Sequence, residues 1–337
     1  MPNSTILGSG FYVPPKVVTN DDLAKLMDTS DEWIRERTGI RERHYAEPGV
    51  GAAALAKFAA ERAIADAGLV NDDIEMIIFA TLNPDIFFPG SGCFLQSLMK
   101  FKNGTPALDI RQQCTGFIYA VSVADQFIRS GRYQRILVIG AENHSSGIEF
   151  ATRGRDVTVI FGDGAGAVVM GPTENPDEGL LAFSLHADGE FYDKLWVPGP
   201  RGDVPGRVNP KMIEDGDTFP HMDGRTVFKH AVVRFPEAME ETLGRAGKTM
   251  TDVDLFIPHQ ANERITRFVQ KKYGLPDEKV VSNIDRYGNT TAATIPICIC
   301  ESRADGRLKK GGLLLCAAFG SGFTWGGFVM KWTIDGK

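Results

Sequence analysis

A thiol, an imidazole and a carboxamide, each standing where a buried strand or turn runs into a helix, are the residues of this chain best placed for covalent chemistry. Cys114 follows the short apolar strand around Ala107-Leu-Asp-Ile110. From Thr115 onward the sequence is apolar on nearly every face for about three turns, the pattern of a helix buried inside a domain. A cysteine at a helix N-terminus meets unpaired N–H groups and the positive end of the helix dipole, which lower a thiol pKa toward the nucleophilic thiolate. Taken alone, the same stretch also fits a cysteine that is only a small core hydrophobe. His259 follows the strand Asp254-Leu-Phe-Ile-Pro258 and reads as the first residue of a helix, and Asn289 follows Tyr287-Gly and precedes the apolar helix that starts in Thr290-Thr-Ala-Ala. Singly, the histidine reads as a satisfied structural residue and the asparagine as a helix cap. Three such joints, spread over both halves of the chain, favour a Cys-His-Asn site.

The elements that must hold these residues follow from length and pattern. A chain of 337 residues is too long for one small core and points to two domains or one duplicated domain. Strand, Phe161-Gly-Asp-Gly, then strand ending Val169-Met170 recurs as strand, Phe319-Gly-Ser-Gly, then strand ending Val329-Met330, which argues for duplication. Gly162-Asp-Gly-Ala-Gly166 is not a dinucleotide fingerprint, because the spacing differs and a strand follows where a helix should open. The expected division is residues 1–172, an irregular linker and surface excursion over 173–225, and residues 226–337. Short strands are expected at residues 4–7 and 11–13, and at Lys279-Val-Val-Ser282.

A net charge of −6, with no basic stripe interleaved with aromatics, argues against a nucleic-acid binder. The five cysteines are odd in number and mostly in apolar surroundings, which fits a reducing cytoplasm. Cys298 and Cys300 lack a second Cys or His pair at metal spacing and read as core, so no metal is expected. The N-terminal stretch has no charged segment before an apolar run, and no 18-residue apolar segment occurs, so neither export nor a membrane span is expected. Ser30 can cap a helix on which Trp33 and Arg37 lie one turn apart, an arrangement that can hold a flat anionic ligand, although taken alone it reads first as a solvated charged helix with a packed Trp.

Six ordered blocks carry a family resemblance over essentially the whole chain. They are Thr29-Ser-Asp-Glu-Trp33-Ile-Arg-Glu-Arg37, Ala107-Leu-Asp-Ile-Arg-Gln-Gln-Cys114-Thr-Gly-Phe, Phe161-Gly-Asp-Gly-Ala-Gly, Ile257-Pro-His259-Gln-Ala-Asn262-Glu-Arg264, Asp285-Arg-Tyr-Gly-Asn289-Thr-Thr-Ala-Ala, and Ala318-Phe-Gly-Ser321-Gly-Phe-Thr-Trp. The chain resembles the 3-oxoacyl-[acyl-carrier-protein] synthase III family of the thiolase superfamily. The resemblance implies an α/β chain with a duplicated five-layered α-β-α-β-α fold, a homodimer, and an acyltransferase that starts fatty acid synthesis. It implies that Cys114 attacks an acyl-CoA, with the oxyanion held by the N–H groups of Cys114 and Ser321. Malonyl-acyl carrier protein then loses CO2, and donors from His259 and Asn289 hold the resulting enolate, which attacks the acyl-Cys.

By the same resemblance, Trp33 and Arg155 sandwich the CoA adenine, Arg37 and Thr29 are neighbouring CoA contacts, and Phe228 and Asn262 line the pantetheine tunnel. Lys229, Arg264, Lys271 and Lys272 match the surface on which acidic carrier protein docks, and Phe88 the residue lent to the partner's acyl pocket. No cofactor is implied beyond the acyl-CoA substrate, and no nucleic acid or membrane partner. Two departures are visible: an excess of chain around residues 196–222, and Ser321 where glycine is more usual. Arg111-Gln-Gln-Cys114 and Arg153-Gly-Arg155 also resemble relatives that make alkylquinolone signals or act in secondary metabolism. A secondary-metabolite synthase or acyltransferase on the same fold, using a medium-chain or aromatic acyl-CoA, is therefore the alternative. A non-catalytic subunit has no need of Cys114, His259 and Asn289 together.

Overall fold

The structure, a computed structural model, describes residues 2–335; Met1, Gly336 and Lys337, at the outer ends of the two expected halves, lie outside the described residues. In chain order the first half is built from β1 (Asn3–Tyr12), α1 (Asp31–Thr38), α2 (Ala52–Asp66), β2 (Met76–Ala80), β3 (Ala107–Ile110), α3 (Gly116–Arg129), β4 (Ile136–Glu142) and β5 (Gly164–Thr173). The second half comprises β6 (Gly179–Ala187), α4 (Gly224–Arg245), β7 (Leu255–Pro258), α5 (Glu263–Tyr273), α6 (Thr294–Ala304), β8 (Leu313–Gly320) and β9 (Thr324–Lys331).

The two sheets repeat one topology. The first runs β1-β5-β4-β2-β3 and the second β6-β9-β8-β7, each with its first strand antiparallel to its last. In both, the last strand is antiparallel to the strand before it in sequence, and the remaining pairs are parallel. Parallel strands covered on both faces need apolar residues at every position, which is why Met76-Ile-Ile-Phe-Ala80 is unbroken. Ile77 and Phe79 face the outer cluster under α2, while Ile78 and Ala80 face a central cluster shared with α3, α6 and the second sheet. The helix α4 covers the outer face of that second sheet. The layers are therefore α-β-α-β-α, with α3 and α6 in the middle.

Three expectations are corrected. The strand pair at 4–7 and 11–13 is one strand, β1, with a register irregularity between Ile6 and Gly8. Its Gly8-Ser9-Gly10 run, between the two expected strands, stays in the strand and lies flush on α2, where a Cβ at either glycine would run into the helix backbone. Residues 173–225 are not all excursion: β6 is the edge strand of the second sheet, so the irregular part is confined to residues 188–223. That part still carries a two-stranded pairing of Leu195–Trp196 with His221–Met222 and a short helix, Pro210–Asp215. Lys279–Ser282 makes only an isolated bridge, Phe256 to Val280, because the 3₁₀ turn Asp277–Lys279 and the helical turn from Ile284 leave no room for a ladder. Among the described residues no helix is long and apolar enough to cross a membrane.

Candidate active site

Cys114 lies in a 3₁₀ turn, Gln113–Thr115, that leads directly into α3, and Thr291–Ala293 is the same turn in front of α6. The first residue of each turn has positive φ, Gln113 at 45° and Thr291 at 48°. A left-handed conformation costs a non-glycine residue about 1–3 kcal/mol, and for β-branched Thr291 it persists only because the surroundings fix it. One strained device is thus used twice, aiming two helix N-termini at the middle of the molecule.

Burial corrects the expectation of a low thiol pKa. Cys114 is buried, and that pushes its thiol up to about 12, against the opposing pull of the Ser321 N–H and its own N–H directed at the sulfur. The N-terminal field of a helix is worth less than the loss of hydration. Gly320 lets β8 press against the sulfur: a Cβ there would stand 2.4 Å from Cys114 Cβ and 2.7 Å from Sγ.

His259 is not in a helix, as had been expected. Its N–H donates to Ala317 O at 2.9 Å, prolonging the β7–β8 pairing, and α5 begins four residues later with Asn262 as its N-cap. Its Nδ1 lies 2.7 Å from Thr294 Oγ1, while Nε2 is buried without a partner. Burial lowers the imidazole pKa to about 3, so the ring is neutral. Asn289 is bridged to Phe161, so the expected strand before Gly162 reduces to one bridge preceded by a helical turn, Arg155–Thr158. Asn289 Oδ1 accepts from Thr291 N–H at 2.8 Å, which leaves its Nδ2 to donate elsewhere.

Two cavities meet at Cys114. The larger, ≈ 700 Å³, runs from Trp33, Arg37 and Arg155 past Phe228, Asn262 and Arg264 to Cys114, Asn289 and Gly320. The smaller, ≈ 110 Å³, lies beyond Cys114 and is walled by Leu82, His144, Ile148, Phe161, Leu195, Trp196 and Thr291. The guanidinium groups of Arg37 and Arg155 sit 4.3 and 4.7 Å from the centre of the Trp33 ring. Asn262 Nδ2 donates to Arg37 O at 2.8 Å, and Arg264 lies over Phe228 at 5.3 Å. Thr29 does not line the cavity, and its buried hydroxyl has no partner. Lys229 and Lys271 are exposed, and Lys272 pairs with Glu240 at 3.3 Å. Phe88 is 73% exposed and lines neither cavity.

Sequence reasoning missed Glu142, His144 and Thr294. Glu142 ends an otherwise apolar strand, the one visible sign that its carboxylate has a task. Fully buried, it accepts from the N–H groups of Leu82 and Asn83 and from Thr81 Oγ1, and burial raises its pKa to about 7. His144 Nε2 lies 2.7 Å from Thr291 Oγ1, its ring stacked on Phe161. Among the described residues no group of three or more His, Cys, Asp or Glu is placed to hold a metal ion.

A duplicated sheet pair, two inner helices opening on one centre and a buried cysteine between two cavities define a thiolase-fold condensing enzyme, an acyltransferase. Comparison with known proteins narrows the class. The family models for 3-oxoacyl-[acyl-carrier-protein] synthase III and for its C-terminal part match residues 108–189 and 243–332. A beta-ketoacyl-[acyl-carrier-protein] synthase III from Xanthomonas campestris pv. campestris is 44% identical over 329 residues, 98% of each chain. The 3-oxoacyl-[acyl-carrier-protein] synthase III structure from Aquifex aeolicus superposes with a TM-score of 0.87 at 41% identity, covering 98% of this chain and 100% of that one. The corresponding Pseudomonas aeruginosa structure gives 0.89 at 35%, covering 99% of each. The chain belongs to the 3-oxoacyl-[acyl-carrier-protein] synthase III family. With relatives of that name so similar, the secondary-metabolite alternative is not favoured.

Proposed function

We propose that Cys114, His259 and Asn289 carry the initiating condensation of fatty acid synthesis, the reaction of this family, between an acyl-CoA and malonyl-acyl carrier protein. Cys114 Sγ attacks the thioester carbonyl, the oxyanion rests on the N–H groups of Cys114 and Ser321, and CoA leaves. The malonyl group enters next, its bond to the carboxylate breaks, CO2 departs, and the electron pair becomes an enolate facing Asn289 Nδ2 and His259. The enolate carbon attacks the acyl carbonyl and expels the Cys114 sulfur, giving 3-oxoacyl-acyl carrier protein. Thiol, imidazole and amide supply each step, so the acyl-CoA substrate is the only cofactor-like molecule the chemistry calls for.

The observation that carries this reading is the placement of Cys114 between a large cavity and a small one. A thioester threaded down the tunnel puts its pantetheine past Phe228 and Asn262, its phosphates near Arg37, and its adenine on Trp33 once the Arg155 guanidinium now stacked on that ring swings aside; Thr29, outside the cavity, is no contact in this arrangement. Its acyl group enters the ≈ 110 Å³ cavity, which suits a short primer. Lys229, Arg264, Lys271 and Lys272 border the tunnel mouth and the helix behind it, where an acidic carrier protein finds complementary charge. With acetyl- or isobutyryl-CoA and malonyl-acyl carrier protein, the expected products are CO2 and 3-oxoacyl-acyl carrier protein. Lys229→Glu with Lys271→Glu is expected to raise the KM for malonyl-acyl carrier protein about tenfold, with primer transfer unchanged. Release of CO2 from free malonyl-CoA as fast as from the carrier-bound form would overturn the carrier assignment.

The active unit is a homodimer on this reading. The open edge of the first sheet, β3, presents exposed Leu108, and Ile86, Phe87, Phe88, Phe94 and Leu98 are exposed on the neighbouring loop and helix. Such a row of apolar side chains beside an unpaired strand edge calls for a partner. Arg207 covers Phe87 at 4.4 Å, which leaves Phe88 the one free to reach a partner's acyl pocket. Sedimentation is expected to give twice the 36.8 kDa chain mass, and Leu108→Glu to give monomer. A wild-type monomer would sink the assignment. The five cysteines, none of them in a disulfide, suit a reducing cytoplasm.

A further inference from the structure

Arg43 is a fully buried cation without a counter-charge. It lies in a hairpin of Lys16–Thr19 with Glu42–Tyr45, and among the described residues no carboxylate stands within ion-pair distance of its guanidinium. Its donors go to neutral oxygens instead: Nη1 to Asn20 Oδ1 at 2.8 Å and to Val18 O at 3.3 Å, and Nη2 to Val159 O at 2.8 Å. Bonds from a charged donor are about twice as strong as neutral ones, so the groups that accept from Arg43 are held firmly. The next residue acts on the same neighbour, because His44 O accepts from Asp163 N–H at 2.9 Å. Arg43 and His44 thus fix both ends of the segment 159–163. The middle of that segment carries Asn289: Asn289 N–H donates to Ile160 O at 2.9 Å, and Gly162 N–H donates to Asn289 O at 3.2 Å. The stem of Arg43 packs at this crossing of the two halves, since a Cβ on Gly162 would stand 3.1 Å from Arg43 Cβ and one on Gly288 3.4 Å from it.

We infer that Arg43 is a positioning residue for the condensation half-reaction: it fixes the segment 159–163 and, through that segment, the backbone of Asn289. The inference rests on the reading of Asn289 as a donor to the enolate. Asn289 Oδ1 is tied to Thr291 N–H, so the direction of its Nδ2 follows from where its backbone stands. A misplacement of about 1 Å in a positioned group costs about 10²-fold in rate, and a slack segment 159–163 would permit it. Arginine suits the task because its planar fork serves Asn20 and Val159 at once, which a lysine with one nitrogen cannot do in the same geometry. Primer transfer is spared, since Cys114 stands on a separate turn before α3. The Phe161 ring, which walls the small cavity, is held independently by its stacking on His144, 4.4 Å between ring centres.

Arg43→Met keeps the stem and removes the donors together with the charge, so no cation is stranded. Two half-reactions of the full chain are measured: acylation of Cys114 by acetyl-CoA, from quenched intact mass, and single-turnover CO2 release when the acyl-enzyme meets malonyl-acyl carrier protein. In Arg43→Met, acylation is expected to stay within about twofold of wild type and CO2 release to slow about 10²-fold; Arg43→Lys, with the charge and one nitrogen, is expected to lose about tenfold in CO2 release. Asn289→Ala is expected to mask the effect, so that adding Arg43→Met to it changes CO2 release by less than about twofold, as for residues that act through one contact. Half-reactions slowed alike, or losses that multiply in the double variant, overturn the inference, because a merely structural role gives either result. If the methionine variant does not fold, the lysine variant, alone and combined with Asn289→Ala, decides by the same measurements. Asn289→Ala releasing CO2 at the wild-type rate overturns the role of Asn289 in the proposed function, and the inference falls with it.

Discussion

Cys114→Ala is expected to form no acyl-enzyme with any acyl-CoA while keeping its fold. The side chain sits at a crowded joint, with Gly320 pressed against its Cβ and Sγ, and alanine occupies a subset of the same space. Deleting one sulfur from so enclosed a site costs little relative to the whole core, so the circular dichroism and melting of the variant should match wild type closely. The chemistry has no such reserve. Without Sγ the two half-reactions cannot be separated, since no covalent carrier holds the primer while CoA leaves and malonyl-acyl carrier protein enters. Loss of a covalent nucleophile costs about 10⁴-fold or more, so condensation should fall to background. Intact mass after brief incubation with acetyl- and isobutyryl-CoA shows the gain of one acyl group in wild type and none in the variant. An acylated Cys114→Ala would move the nucleophile elsewhere, and the buried Cys298, Cys300 and Cys316 would become the residues to test.

The sequence shows most of what lies along the chain and little of what is made across it. Cys114 and Asn289 are legible because each is flanked by its own strand or turn and its own apolar helix. Duplication is legible because Phe-Gly-x-Gly recurs before two strands. His259 is read correctly as a strand-end residue but wrongly as a helix start. Gln260 and Ala261 resemble helix, and only the Asn262 side chain, bonded to Arg264 N, shows where α5 begins. The boundary between halves is misplaced because β6 follows a Pro- and Asp-rich turn that looks like linker. The thiol pKa cannot be read locally at all, since the burial that raises it comes from β8, some 200 residues away. Thr294, His144 and Glu142 are invisible for the same reason: each acts on a group 35 to 147 residues distant, or on a loop of another strand.

The same contrast makes a second large effect predictable from the structure alone. Arg303, near the end of α6, reaches across to the first half and pairs with Asp66 at the end of α2, both side chains less than a tenth exposed. Asp66 also accepts from Ser9 N–H at 2.8 Å, and Arg303 donates to Asp335 O at 3.0 Å. A buried pair gains little over apolar residues of the same size, but removing one member strands the other charge at a cost of about 3–5 kcal/mol. Asp66→Ala is therefore expected to lower Tm by about 4–7 °C, given the unfolding entropy of a chain this long. Asp66→Leu combined with Arg303→Met is expected to restore most of that loss, because the stranded guanidinium is gone. Arg303 is nine residues from Thr294, about 13 Å along the helix axis, so primer transfer by folded Asp66→Ala at 25 °C should stay within about twofold of wild type. A drop below about 1 °C in the single variant would mean that water or another group reaches the guanidinium once Asp66 is removed. A double variant no more stable than the single would mean that the two halves are held by the charge pair itself rather than by the packing around it.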